Sequence, residues 1–412
     1  MVSFFFYTIL AILVFEYLLE RILDYLNGKH WSASVPDVLK DIIDEEKYKT
    51  SMLYFKDKQR FSFIVGTISF LAMMAMIIFG GFAVVDNFVR DYTTNPILMT
   101  LFFFGSLGLI ADLLSTPFSV YGTFVIEQKY GFNKTTVKTF ILDKLKGWLL
   151  GAIIGGGLLA MIVWIYESTG NWFWFITWMV ITAFMIFMSM FYSNIIVPLF
   201  NKQKPLEEGE LRDAIQDFAS KVGFKLKNIY VIDGSKRSTK ANAYFTGLGA
   251  KKRIVLYDTL INDHDIDELV AVLAHEIGHY KKKHTLKGMA LSILQNGLML
   301  YILSIFLKNP AMAEALGAKE NSFHMALLAF GILYSPLSMI LGLIGNVLSR
   351  KHEFQADRFA AVNYSGSSLS KALKNLSVNT LSNLRPHPAY VFFHYSHPPL
   401  LKRLEALELH DE

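Results

Sequence analysis

Seven apolar runs, each near the ~20 residues that a bilayer core requires, alternate with polar connections along the chain. They fall at residues 2–20, 62–85, 96–120, 147–166, 172–199, 288–307 and 324–348. The first lacks a basic start and a small-residue cleavage site, so it reads as a membrane helix and not as a removable leader. In the fourth, Gly147, Gly151 and Gly155 recur every four residues, a spacing that suits either close helix–helix approach or a loosened helix. Asp112 inside the third run and Glu16 near the end of the first are charges in apolar surroundings. Such groups either bond a neighbouring helix or line a polar chamber.

The largest polar stretch is 200–287. Within it, residues 205–224 read as an amphipathic helix stopped by Gly223. Three strand-like runs follow, Asn228–Ile232, Asn242–Gly247 and Arg253–Tyr257, with Gly249 and Lys251 in a turn between the last two. The chain therefore divides into residues 1–199 with five membrane helices, a metal-bearing polar segment 200–287 with a small sheet, two further helices in 288–348, and a C-terminal segment 349–412. The fold class is mainly α: a polytopic membrane protein with seven transmembrane helices.

Composition agrees with that class. Of 412 residues, 53% are hydrophobic and only 18% charged, against about 25% in soluble domains. The chain has no cysteine, which excludes disulfides and thiolate metal ligands. A net charge of +5, with no basic run interleaved with aromatics, gives no argument for nucleic acid as a partner. Lysine and arginine are unevenly spread: eight in the connection 21–61 and five in 121–146, but one in 86–95, none in 167–171 and two in 308–322. By the positive-inside rule the odd-numbered connections and the C-terminal tail face the cytosol. Both metal-bearing segments then share the cytosolic side. An endoplasmic reticulum membrane and a bacterial inner membrane fit this orientation equally.

The chemistry is concentrated in His275-Glu276-Ile277-Gly278-His279. The preceding residues predict a helix, with Asp265 as N-cap and Glu268 as its capping-box partner. Two histidines four apart lie on one helical face, so both imidazoles can reach one metal, and the adjacent Glu276 can serve a bound water as base. Without thiols this set points to one Zn²⁺ per chain, used for hydrolysis. A third ligand is expected from Arg350–Asp357, where Glu353 and Asp357 again stand four apart. We assign Glu353 to the metal and Asp357 to a supporting bond on a ligand histidine; spacing alone allows the reverse. The run Asn242–Gly247, with Asn242, Ala243 and Tyr244 as candidate substrate contacts, is either an edge that takes a peptide as an added strand or a scaffold strand. His397, ahead of Pro398-Pro399 at a helix start, is placed to donate to an oxyanion, and spacing does not rank it above His387 or His394.

Taken together, these residues resemble the type I CAAX prenyl endopeptidases, integral-membrane zinc metalloproteases. The resemblance runs through Tyr54–Lys58, Glu127–Lys134, Pro198–Lys202, Asn242–Leu248, His275–His279, Ser349–Asp357 and Ser396–Pro399. It implies His275, His279 and Glu353 as zinc ligands, Glu276 as general base and His397 as the substrate-facing histidine. It also implies seven helices enclosing an intramembrane chamber, capped by a cytosolic metalloprotease domain. The implied activity is removal of the last three residues of farnesylated CAAX proteins. The expected partners are prenylated or membrane-associated peptides and the bilayer itself. Two other readings stand beside it: a quality-control endopeptidase for membrane or translocon-stalled proteins without prenyl dependence, and a seven-span carrier with an incidental motif.

Overall fold

The computed structural model describes residues 1–31, 34–224, 229–246 and 253–411, without the side chains of 410 and 411. Among the described residues, six helical stretches are long and apolar enough to cross a membrane: Val2–Lys29, Glu45–Ile78, Pro96–Glu127, Val137–Phe200, His284–Phe306 and Phe323–Asn363. Two expected runs, 147–166 and 172–199, lie inside the one 64-residue stretch Val137–Phe200. At 1.5 Å per residue that stretch would measure about three bilayer cores. Gly170, with φ of 54°, and a tight turn over Gly170–Trp172 interrupt it. The second run is shorter than its expected 62–85. Its helix ends at Ile78, and Gly80, in a left-handed conformation with φ of 67°, separates it from a second helix, Gly81–Tyr92.

The glycine repeat is not a close helix contact. A Cβ on Gly147, Gly151 or Gly155 would meet nothing within 4 Å, and Gly151–Gly156 winds as a π-helix. The three glycines therefore fit the loosened-helix reading. Both intramembrane charges bond neighbouring helices. Asp112 accepts from Lys144 Nζ at 3.0 Å and Trp148 Nε1 at 2.9 Å, while Glu16 accepts from the Ser335 hydroxyl.

The polar stretch builds a four-stranded sheet from β1 (Gln203–Pro205), β2 (Ile229–Ile232), β3 (Ala243–Thr246) and β4 (Arg253–Tyr257), in the order β1-β2-β4-β3. β1 has no sequence signal, being three residues long and ending in proline. β2 runs parallel to β4, and β3 pairs antiparallel with β4 through Ala243↔Leu256 and Tyr244↔Val255. β3 is thus an edge. Asn228, Gly247, Gly249 and Lys251, called above as strand ends and turn, lie outside the described residues, as does Leu248. The expected helix forms over Glu210–Lys221, and Gly223 stops it with φ of 62°. Ile215 and Phe218 from that helix, Ile254 and Leu256 from β4, and Leu269 and Leu273 share one buried core. A second small core joins Leu39, Ile43 and Tyr48 to Val378, Leu384 and Leu404, fastening the first connection onto the C-terminal segment.

Candidate metal centre

His275 and His279 lie on the helix Ile266–Lys281, and Asp265 caps its start by accepting from Glu268 N at 2.9 Å. The capping box is only half formed. The Glu268 carboxylate turns inward, pairing with His264 Nδ1 at 2.7 Å and accepting from Asn375 Nδ2 at 2.9 Å. Glu353 and Asp357 belong to Phe323–Asn363, 41 residues in one piece, which continues the last apolar run well past a ~30 Å hydrocarbon core. The two helices meet at Gly278. A Cβ there would stand 3.1 Å from Ala356 Cα and 3.1 Å from Phe359 Cβ, so any side chain would crowd the approach. That contact brings the histidines of one helix against the carboxylates of the other.

Nε2 of His275 and Nε2 of His279 are 3.0 Å apart, and the Glu353 carboxylate stands 3.4 Å from the first and 3.2 Å from the second. Ligands about 2.1 Å from a tetrahedral zinc are separated by about 3.4 Å, so the three donors have metal-site spacing. Glu353 Oε2 is buried with no hydrogen-bond partner, a lone pair that a cation would answer. Both observations fit a bound metal ion. Asp357 Oδ1 stands 2.8 Å from His275 Nδ1, on the far side of the ring from the other donors.

Two supports were not legible in the sequence. Arg403 donates to Asp357 Oδ2 through Nε at 2.8 Å, so a buried His275–Asp357–Arg403 chain holds the first imidazole. Burial works against a charged His275, but the Asp357 hydrogen bond and the neighbouring Glu353 carboxylate outweigh it and raise the imidazole to about 9. A metal must therefore displace a proton there. His279 has a different support. His284 Nε2 donates to Gln355 Oε1 at 2.9 Å, which leaves His284 Nδ1 to accept from His279 Nδ1 at 3.0 Å. This relay fixes the His279 tautomer with its Nε2 lone pair toward the other ligands. Local pattern could not reveal either support. Arg403 is 46 residues from Asp357, and His284 reaches back only because Lys283 adopts φ of 59° between two helices.

Around these groups lies a cavity of about 900 Å³. Its lining includes His275, Glu276, His279, Glu353, His397 and the edge residues Asn242, Ala243 and Tyr244. Glu276 is partly exposed in it, as a base serving water needs to be. His397 is exposed, with Nε2 3.4 Å from Glu353 Oε1 and Nδ1 3.0 Å from Ser396 Oγ. It does not open a helix as expected, because the final helix begins at Leu400, with the Pro399 carbonyl accepting from Lys402 N and Arg403 N. His387 and His394 stand elsewhere: His387 Nδ1 accepts from Ala389 N at 3.2 Å, and His394 faces Glu20 at 3.4 Å. On β3, the Asn242 carbonyl accepts from Tyr257 N at 3.0 Å. The alternation of an antiparallel ladder then turns the backbone of Ala243 and Phe245 to the open edge. The Ala243 N–H is held meanwhile by Asn242 Oδ1 at 2.8 Å.

Comparison with known proteins gives the family of the chain. Residues 24–202 match the family described as CAAX prenyl protease N-terminal, five membrane helices, and residues 205–410 match peptidase family M48. CAAX prenyl protease 1 of Saccharomyces cerevisiae is 34% identical, covering 95% of this chain and 93% of its own length. The CAAX prenyl protease 1 homolog of Oryza sativa is 35% identical over 97% and 96%, and that of Homo sapiens 31% identical over 97% and 94%. Among solved structures, the crystal structure of S. mikatae Ste24p superposes with a TM-score of 0.93 at 34% identity, covering 98% of this chain and 99% of that one.

Proposed function

Because the chain belongs to peptidase family M48 and is a multi-pass membrane metalloendopeptidase, we propose that it holds one zinc ion on His275, His279 and Glu353 and trims prenylated CAAX proteins. The observation that carries the proposal is the meeting of three metal-type donors, a carboxylate and an open strand edge in one cavity that extends onto the apolar helices. Zinc bound there would acidify a water and polarise a carbonyl. Glu276 takes the proton of the attacking water and returns it to the leaving amine as the C–N bond breaks. His397 donates from its ring N–H to the oxyanion that forms on the scissile carbonyl. The open backbone edge at Ala243 and Phe245 holds the peptide as an added strand, flanked by Asn242 and Tyr244. Asp357 and Arg403 hold His275, and Gln355 through His284 holds His279.

We count Val137–Phe200 as two crossings, which gives seven helices. The enclosure of an intramembrane chamber by these seven helices is part of the same proposal. The excess of lysine and arginine in 21–61 and 121–146 supports a cytosolic active site in the endoplasmic reticulum or a bacterial inner membrane. The deciding experiment is cleavage of a farnesylated CAAX peptide beside its unprenylated twin, with Glu276→Gln as control. Preference for the farnesylated peptide that disappears in the control is expected. Equal cleavage of the two peptides would replace the proposal with a prenyl-independent quality-control protease.

A further inference from the structure

A second cavity, of about 790 Å³, opens between the C-terminal end of helix Val2–Lys29 and the middle of helix Glu45–Ile78. It lies on the metal centre's side of the apolar helices, since Asn27 Oδ1 accepts from His387 N at 3.0 Å. Three cations line it, Arg21, Lys29 and Arg60, against one carboxylate, Asp24. Tyr25, Gly28 and Gln59 complete the polar end, and Phe63 and Ile64, each 52% exposed, give an apolar side where the second span begins.

Arg21 is the unusual member. Its Nη2 pairs with Asp24 at 3.1 Å, but Nε and Nη1 are buried with no hydrogen-bond partner among the described residues. The guanidinium lies 5.6 Å from the Tyr17 ring centre and 5.5 Å from that of Phe63. Gly66 makes room for it, since a Cβ there would stand 3.3 Å from Arg21 Nη2. Aromatic faces compensate part of the lost hydration, yet two unanswered charged donors remain costly. A phosphate oxygen at either donor would lower that cost. Glu20, one position before Arg21, is directed to His394 at 3.4 Å, so it does not supply an acceptor. Lys29 and Arg60, exposed at the rim, add attraction for the same charge.

We propose that this cavity binds the headgroup phosphate of an anionic phospholipid. Arg21 is the buried ligand, Lys29 and Arg60 close the rim, and an acyl chain lies along Phe63 and Ile64. The apolar wall at the start of a membrane span is the reason for a lipid over a free anion. Basic recesses between helices at the headgroup level recognise such lipids by this combination of charge and depth. The site is separate from the proteolytic cavity, and its occupancy does not depend on the substrate reading above.

The test is native mass spectrometry of the full chain in neutral detergent, titrated with phosphatidic acid or with phosphatidylcholine of the same acyl chains. Wild type should retain one phosphatidic acid at least ~10-fold more tightly than phosphatidylcholine. Lys29→Gln with Arg60→Gln, two exposed positions, should lose about five-fold per cation removed. Arg21→Gln should abolish the preference, and peptide cleavage in neutral detergent should be unchanged in the double variant. A control removing Lys202 and Lys204, equally basic but elsewhere, should change nothing. Preference unaltered in both site variants, or lost equally in the control, overturns the site. Displacement of the lipid by millimolar inorganic phosphate would assign the recess to free phosphate and overturn the lipid assignment.

Discussion

Glu276 and Glu353 line one cavity but should fail differently when neutralised. Glu276→Gln keeps all three donors, so metal content should stay stoichiometric while cleavage falls by ~10²-fold or more. Glu353→Ala removes a donor, and metal content itself should fall. Elemental analysis beside a peptide assay separates the two, and metal loss in Glu276→Gln would defeat the division of roles. His284 gives a finer test. His284→Leu removes the acceptor for His279 Nδ1 and should weaken metal binding ~10–100-fold, whereas His284→Gln, which retains an acceptor, should recover most of it. Equal losses in the two would reduce His284 to packing. Residues in one helical register were legible: spacing alone puts His275 and His279 on one face of one helix. The ranking of Glu353 over Asp357 was not, because both carboxylates occupy the same face and only tertiary contact separates them. Asp357 is engaged by Arg403, while Glu353 Oε2 has no hydrogen-bond partner.

At the scale of elements, the site depends on one close approach and one open edge. Gly278→Ala would put a methyl group 3.1 Å from the Ala356 backbone, which has little freedom to move. Thermal unfolding should show a loss of ~1–3 kcal/mol, with metal affinity falling alongside because Glu353 and Asp357 shift with their helix. Unchanged stability would mean that the helix contact is slack. Ala243→Pro probes the edge. Ala243 is the first residue of β3, where proline is tolerated, and its N–H belongs to Asn242 Oδ1 and not to β4. Folding should survive, and KM for an extended peptide should rise several-fold with kcat less affected. An unchanged KM would return β3 to a scaffold role. Helix positions were largely readable because apolar runs and caps are local signals. The edge character of β3 was not, since it depends on the sheet order β1-β2-β4-β3, a matter of partners and not of pattern. The break at Gly80 escaped for the opposite reason: the apolar residues continue through it, and only a left-handed glycine ends the helix.

For the whole molecule, one cavity joins two solvents. Its polar part holds the edge strand and the donors, and its apolar part reaches Leu291, Leu341, Gly342 and Gly345. The apolar runs foretold a membrane protein, but not that the donor cluster would sit where the cavity meets the apolar helices. That required the helix Phe323–Asn363 to carry both the last span and Glu353 without a break. Gly345 lies eight residues before Glu353 on that helix, on the order of 12 Å along its axis. A Cβ on Gly342 or Gly345 would meet nothing within 4 Å, so both glycines border open space. A prenyl chain attached near a peptide on β3 has that apolar space within reach of the metal centre. Gly345→Leu fills part of it without touching a donor. Cleavage of a farnesylated peptide should drop by ~10-fold, about the value of a lost methylene-sized fit in an apolar pocket, while its unprenylated twin keeps its kcat/KM. If the two peptides lose activity in parallel, the apolar end is a common passage and prenyl preference is decided elsewhere. If only the farnesylated peptide suffers, the glycine-bordered end is where the lipid is read.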